Sequence, residues 1–300
     1  MRNYPLLITL IAVVGLSAIN GKTFAQNSDL ELRREVAAIA SRSGGKVGVA
    51  AMDLASRKSF TFNDDGHYPM QSVYKFAISL AVLKTYEAKR LDIDQNVDVF
   101  KTDMIGPDQH SPIRDKFPDG TKLSVRELIR YAMQESDGTA SDVLMRLIGG
   151  ANNVQAYLGS LGVIDIRVVD TEMQLGKEWK AQYRNWSTPS ASVELLRAFF
   201  DGRALASAED REMLMKMMTE SSPGAHRIKG LLGDVAVAHK TGTSGSQNGV
   251  TAATNDIGIV TLPDGRHIAI AVYVTDSTAD EKTREETIAK IAQVLVQKLR

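Results

Sequence analysis

Strand-forming segments occur only near the two ends of this 300-residue chain, and helical periodicity fills the middle. Residues 46–54 and 59–63 read as strands about a turn at 55–58. Residues 235–239, 256–262 and 267–275 do the same near the other end, the last two joined by Pro263-Asp264-Gly265. Between Met70 and Met218 apolar residues recur at helical spacing, most clearly over 72–90, 124–134, 140–148, 154–161, 190–200 and 208–218. A first helix opens on the capping pattern Ser28-x-x-Glu31, carries Leu32, Val36 and Ile39 on one face, and stops at Gly44-Gly45. A last helix, 280–299, carries Ile288, Ile291, Leu295 and Leu299 on one stripe. Strands so far apart in sequence share one sheet only if the helices between them form an insertion. The expected fold is therefore α/β of the α+β kind. An antiparallel sheet flanked by the terminal helices uses residues 26–65 and 219–300, beside an inserted all-α domain of residues 66–218. A cleft between two such lobes is where a site is expected.

Residues 1–25 stand apart. Arg2 is followed by an uncharged run of about 14 residues from Leu6 to Ile19, then by Thr23-Phe24-Ala25 with small residues where a signal peptidase reads. That run is short of the roughly 20 residues needed to span a bilayer. The segment reads as an export signal cleaved before Gln26, leaving a mature chain that is soluble in an exported compartment with no membrane segment. Lys+Arg and Asp+Glu both total 36, and the mature chain keeps 34 basic against 36 acidic residues, so no net field holds a nucleic-acid backbone. There is no cysteine, which excludes disulfides, thiol nucleophiles and Cys-ligated metals. The five histidines are scattered with no i,i+4 pair, so neither a metal site nor any cofactor is expected.

Three short motifs carry chemistry. Ser72-Val73-Tyr74-Lys75 begins a helix, and its spacing puts a serine and a lysine on one face, where the lysine can take or hold the hydroxyl proton. The helix start adds a free backbone N–H for a developing oxyanion. Ser43-Gly44-Gly45-Lys46 repeats the spacing in a Gly-rich turn before a strand, where no such pairing is expected. Ser136-Asp137-Gly138 lies between two helical stretches, where a serine can protrude and relay a proton, or one of the two polar residues can simply cap the next helix. His239-Lys240-Thr241-Gly242-Thr243 ends a strand, offering a cation, a hydroxyl, a glycine that admits close approach of a ligand, and the Thr243 N–H as an oxyanion donor.

Taken in this order the three resemble the S-x-x-K, S-D-x and K-T-G set of the class A serine β-lactamases and penicillin-binding proteins. The resemblance to class A β-lactamases covers residues 28–299. Residues 235–245 and 251–256 look most like the branch containing the PER and VEB enzymes. A fourth element fits the same family: Thr171-Glu172, 36 residues after Ser136, lies in a non-periodic stretch where these enzymes carry the glutamate that activates the deacylating water. Glu178 is the competing carboxylate, with a poorer spacing. The resemblance implies Ser72 as the acylated nucleophile, Lys75 as its proton partner, Ser136 as the proton relay to the lactam nitrogen and Glu172 as the base for deacylation. It implies that Lys240, Thr241 and Thr243 bind the substrate carboxylate and that Arg227, thirteen residues before Lys240, assists. His110 aligns with an aromatic gate residue, and Ser244 resembles a feature of extended-spectrum enzymes. The implied activity is hydrolysis of penicillins and cephalosporins, without a cofactor, conferring resistance.

Three positions depart from the family pattern. Gly138 stands where an asparagine usually contacts the substrate amide, a loss of about 0.5–1.5 kcal/mol of hydrogen bonding. Gly176 stands where an asparagine usually helps hold the water. Asp170 and Asn185 occupy positions where many members have an Arg–Asp pair, so the loop is expected to be anchored differently and to be more mobile. Two alternatives stay open at this point: a D,D-peptidase of the penicillin-binding type, which lacks a positioned Glu172, and a non-catalytic binding protein of the penicillin fold, which the two glycines would suit.

Overall fold

The computed structural model describes residues 29–299, so Ser28 and the segment 1–25 lie outside them. A helix over 29–40 (α1) runs into a 3-10 turn and stops at Gly44, whose left-handed φ of 65° suits glycine. Next come β1 (Lys46–Asp53), β2 (Ser59–Phe62), β3 (Tyr68–Pro69) and α2 (Tyr74–Lys89). The middle of the chain contains β4 (Asn96–Phe100), α3 (Pro112–Lys116), β5 (Gly120–Ser124), α4 (Val125–Gln134), α5 (Gly138–Leu147) and α6 (Ala151–Ser160). It continues through β6 (Ile166–Arg167), α7 (Glu172–Leu175), β7 (Trp186–Ser187), α8 (Pro189–Phe200) and α9 (Ala208–Thr219). Strand returns as β8 (Ala236–Thr243), β9 (Ser246–Gln247), β10 (Val250–Thr261) and β11 (His267–Ser277), before α10 (Glu281–Lys298).

The ends of the chain meet in one antiparallel sheet of order β2-β1-β11-β10-β8, with β9 on β10. β1 pairs β11 from Lys46↔Thr275 to Asp53↔Ile268. Alternation along β11 sends Ile268, Ile270, Val272 and Val274 to the side covered by α1 and α10, against Val36, Ile288 and Leu295. Ala269, Ala271 and Tyr273 face the opposite side, against the helical core. The centre of that core is α2, buried over its whole circumference from Tyr74 to Leu83. Phe76 there meets Phe199 edge-on at 5.5 Å, and its truncation to alanine is expected to cost about 3–5 kcal/mol.

Helix starts follow local capping. Ser124 and Glu127 form a capping box on α4, Thr188 caps α8 ahead of Pro189, and Asp280 caps α10. The strands β8 and β10 are longer than their composition indicates. β8 does not end at His239 but continues to Thr243, paired with β10 as far as Thr254↔Thr243, and β10 begins at Val250, where it pairs with β9. The two-residue strands β3, β6 and β7 and the pair β4–β5 are too short or too polar to leave a periodic signature.

Candidate active site

A 3-10 turn, Gln71–Val73, leads into α2 and sets Ser72 one turn before Lys75. Lys75 Nζ donates to Ser72 Oγ at 2.6 Å and also to the carboxylate of Glu172. The lysine side chain is 1% exposed and the glutamate's 12%. Burying two such ions is costly alone, and each offsets the other's desolvation here. Glu172 is thus the carboxylate that reaches the serine–lysine pair; Glu178 is exposed and lines the same cavity. The second S-x-x-K, at Ser43, forms no such pair: Ser43 bonds Gly45 O and Lys46 is exposed.

Gln71 (φ 48°) and Ser136 (φ 58°) are both held in the left-handed region, at a cost of about 1–3 kcal/mol each. The surrounding bonds hold them there. Met70 N–H donates to Asn185 O at 2.9 Å, and Asn255 Nδ2 donates to Pro69 O at 2.8 Å and Met70 O at 3.2 Å. Gln71 Nε2 donates to Gln182 Oε1 at 2.8 Å. Beside Ser136, Asp137 accepts the N–H groups of Ala140 and Ile113 at 2.8 and 2.7 Å, and burial pushes its carboxyl up. Capping and protrusion are therefore divided between neighbours: Asp137 caps α5 and Ser136 turns to the cleft.

Lys240, on β8, donates to Ser136 Oγ at 2.9 Å and to Thr241 O at 3.1 Å. It is fully buried, and burial first, then the Lys75 charge, pushes its ammonium well below the usual lysine range. The K-T-G segment is no solvated strand end. A Cβ on Gly242 would lie 2.2 Å from Met70 O, so this glycine admits the turn that carries Ser72 and not a ligand. Arg227 is buried behind β8. It donates to Thr243 Oγ1 at 2.8 Å and to Asn255 O at 2.9 Å, and pairs with Glu285 at 3.0 Å.

A cavity of about 590 Å³ is lined by Ser72, Lys75, Ser136, Glu172, Thr243 and Ser244, together with His110, Trp179 and Gln182. That volume suits a small organic ligand. His110 is exposed, its Nε2 bonded to Glu135 O at 2.8 Å. Ser244 Oγ accepts the Ala253 N–H at 2.9 Å. Lys240, Thr241, Arg227 and Gly138 lie behind the lining. Among the described residues no cluster of three metal-ligating side chains occurs, and no helix is long and apolar enough to cross a membrane.

The model of the beta-lactamase enzyme family matches residues 31–299. The chain is 38% identical to the beta-lactamase VEB-1 of Pseudomonas aeruginosa over 272 residues, 90% of each chain. It is 34% identical to the extended-spectrum beta-lactamase PER-1 of that organism over 293 residues, 97% of this chain and 94% of the other. A crystal structure of a beta-lactamase from Chitinophaga pinensis matches with a TM-score of 0.86 and 41% identity, over 89% of this chain and 98% of that one. The chain belongs to the beta-lactamase enzyme family. Its architecture is that of the class A β-lactamases.

Within this β-lactamase, the loop that carries Glu172 is anchored differently from the usual Arg–Asp pair, as its sequence implies. Asp170 pairs with Arg184, not with position 185, at 2.6 and 3.0 Å. Asn185 Oδ1 accepts the N–H groups of Val169 and Asp170 at 2.8 and 3.0 Å, and its Nδ2 donates to Asp170 O at 2.9 Å. Asp142, on α5, takes the N–H groups of Glu172 and Met173. Burial, reinforced by the Glu172 charge and opposed by these two bonds, raises the Asp142 carboxyl to about 7. Gly138 leaves no vacancy: a Cβ there would lie 2.4 Å from Ile105 Cδ1 and 3.1 Å from Glu172 Cγ. Sequence reasoning did not find Asp142, Asn255, Glu285 or Gln109. An acid at position 142 among the apolar residues of α5 was the one available signal.

Proposed function

We infer that this protein hydrolyses the β-lactam amide bond of penicillins and cephalosporins through an acyl-serine intermediate, and so confers β-lactam resistance. The observation that carries the reading is the Lys75 ammonium bonded to both Ser72 Oγ and Glu172. Ser72 Oγ attacks the lactam carbonyl carbon and its proton passes to the Lys75–Glu172 pair. The oxyanion is met by the backbone N–H groups of Ser72 and Thr243; one such donor is typically worth about 10²–10³ in rate. As the C–N bond breaks, Ser136, polarised by Lys240, gives its proton to the lactam nitrogen and is reprotonated by the Lys75–Glu172 pair, which leaves Glu172 a carboxylate again. A water then loses a proton to Glu172 and attacks the ester, and Ser72 leaves as the hydroxyl. Thr243 receives the substrate carboxylate, with Arg227 acting through Thr243 Oγ1 and Lys240 and Thr241, which sequence alone placed in direct contact, acting from behind the lining.

Residues 66–218 form one lobe of this reading and residues 26–65 with 219–300 the other, the cleft lying between them. The mature chain begins at Gln26 and works as a periplasmic monomer with no membrane segment; N-terminal sequencing and a sizing column test both statements. Cephalosporins are included because PER-1 is named an extended-spectrum enzyme and because Ser244 follows Thr243. Mass spectrometry of the mature protein with a chromogenic cephalosporin, beside Glu172→Ala, tests the mechanism. Turnover with free enzyme regenerated in the wild type, and a lasting acyl adduct in the variant, supports it. A lasting adduct in both makes the protein a penicillin-binding protein, and no adduct in either makes it a binding protein.

A further inference from the structure

The peptide of Glu172 is gripped at both ends. Its N–H goes to Asp142, and its carbonyl accepts from Gln109 Nε2, reaching across from the loop before α3. The other atom of that carboxamide, Oε1, accepts the Gly106 N–H at 3.3 Å. The amide also fills a particular space. A Cβ on Gly176 would lie 2.5 Å from Gln109 Oε1, 2.6 Å from Cδ and 2.9 Å from Nε2. The glycine at 176 therefore makes room for a carboxamide supplied from elsewhere in the chain.

The loop presenting Gln109 is itself rigid. The Arg114 guanidinium donates to the carbonyls of Ile105, Gly106 and Gln109. Gln109 N–H closes a turn onto Gly106 O at 3.0 Å, and Gly138 N–H donates to His110 O at 3.1 Å. The loop is thus pinned to the Ser136 turn on one side and to Glu172 on the other. α7 is a single turn of four residues; the Gly176 N–H also donates to the Glu172 carbonyl at 3.0 Å, so Gln109 adds a second donor to that oxygen.

We propose that Gln109 is a positioning residue for deacylation, its carboxamide holding the Glu172 backbone in register with Ser72 while the glutamate delivers water. The proposal rests on the reading of Glu172 as the deacylating base. During acylation the Glu172 carboxylate is also held through Lys75. In the acyl-enzyme Ser72 Oγ is esterified, the Lys75 contacts change, and the backbone grip carries more of the alignment. Loss of Gln109 therefore falls on the second step.

The test is rapid-quench mass spectrometry of a chromogenic cephalosporin with wild type, Gln109→Met and Gln109→Ala, reading acylation and deacylation separately. Methionine keeps the volume and removes the donor. Deacylation is expected to slow roughly tenfold in both variants, the usual effect of one neutral hydrogen bond, with acylation changed less than about twofold. Gly176 has φ −74°, so its backbone accepts a side chain. Gln109→Ala/Gly176→Asn returns a carboxamide to the emptied space and is expected to recover at least half of the lost deacylation rate. Equal losses in both steps, deacylation unchanged in both single variants, or a double variant no faster than Gln109→Ala would each overturn the proposal. Failure of the underlying reading looks different: the wild type itself would then not turn over.

Discussion

Asp142 holds Glu172 by its backbone. One carboxylate oxygen accepts the Glu172 N–H at 2.7 Å and the other the Met173 N–H at 2.9 Å. This anchor titrates near neutrality, since burial raises the Asp142 carboxyl from an ordinary 3.8 to about 7. Between those values the folded protein binds a proton that the unfolded chain does not. The stability Asp142 contributes is therefore full at low pH and is lost as pH rises through about 7. Lys75, Glu172 and Tyr74 are the titratable groups coupled to it. Asp142→Asn removes this dependence. Denaturant unfolding at pH 5 and pH 8 should show the wild type losing more stability over the interval than the variant; equal losses would contradict the assignment.

The ion pair between Asp170 and Arg184 closes the base of the same loop. The Asp170 side chain is nearly buried, while half of the arginine side chain meets solvent. Removing the arginine strands a carboxylate with no other side-chain partner among the described residues, a heavier penalty than loss of an exposed pair. Arg184→Ala is expected to destabilise the protein by about 1–2 kcal/mol, discounted for the exposed side. Amide exchange at 172–176 should accelerate while that of 240–243 stays unchanged. Uniform acceleration in both segments would mean that the pair supports the whole fold and not the loop.

The residues legible in the sequence were those whose chemistry is local or carried by rare side-chain combinations. Ser72 and Lys75 announce themselves by helical spacing, and Ser136 and Lys240 by their place behind them. Gln109 and Asp142 do not, because each acts on backbone atoms of a segment at least 30 residues away, and no local pattern records which carbonyl a glutamine will meet. The extension of β8 was hidden for a related reason. His-Lys-Thr-Gly-Thr has little strand propensity, and it becomes strand because β10 and the turn at Met70 pack on it. The sequence indicated that the loop is anchored otherwise than by an Arg–Asp pair at 170 and 185, but not that Arg184 is the partner, since an ion pair depends on the path of the chain and not on alignment.

Lys240 gives a prediction about charge. Burial and the Lys75 charge depress its ammonium, while Ser136 needs it as a donor. An anionic substrate placed beside it favours the charged form, so binding takes up a proton. The rate constant kcat/KM for an anionic β-lactam should then fall as pH rises through the lowered lysine value. Lys240→Arg keeps the charge at every accessible pH and should flatten that limb, at reduced overall activity because the guanidinium is larger than the buried site. A limb of unchanged position and steepness in the variant would assign the titration to another group.

Gly138 is fixed by packing against Glu172 and Ile105. An asparagine there would bring its Cβ to 2.4 Å from Ile105 Cδ1 and 3.1 Å from Glu172 Cγ, so something has to move. Ile105 is buried and its loop is clipped by Arg114, which leaves Glu172 as the more movable neighbour. Gly138→Asn is expected to cost about 1–3 kcal/mol as an overpacked site and to slow deacylation by displacing the base. Ile105→Ala alone should cost about 2–5 kcal/mol through the cavity it leaves. Combined, the two changes fill that cavity with the new side chain, so their costs should fall short of additivity by about 1 kcal/mol or more. Strict additivity in a chemical-denaturation cycle would show that the asparagine does not use the space beside Ile105.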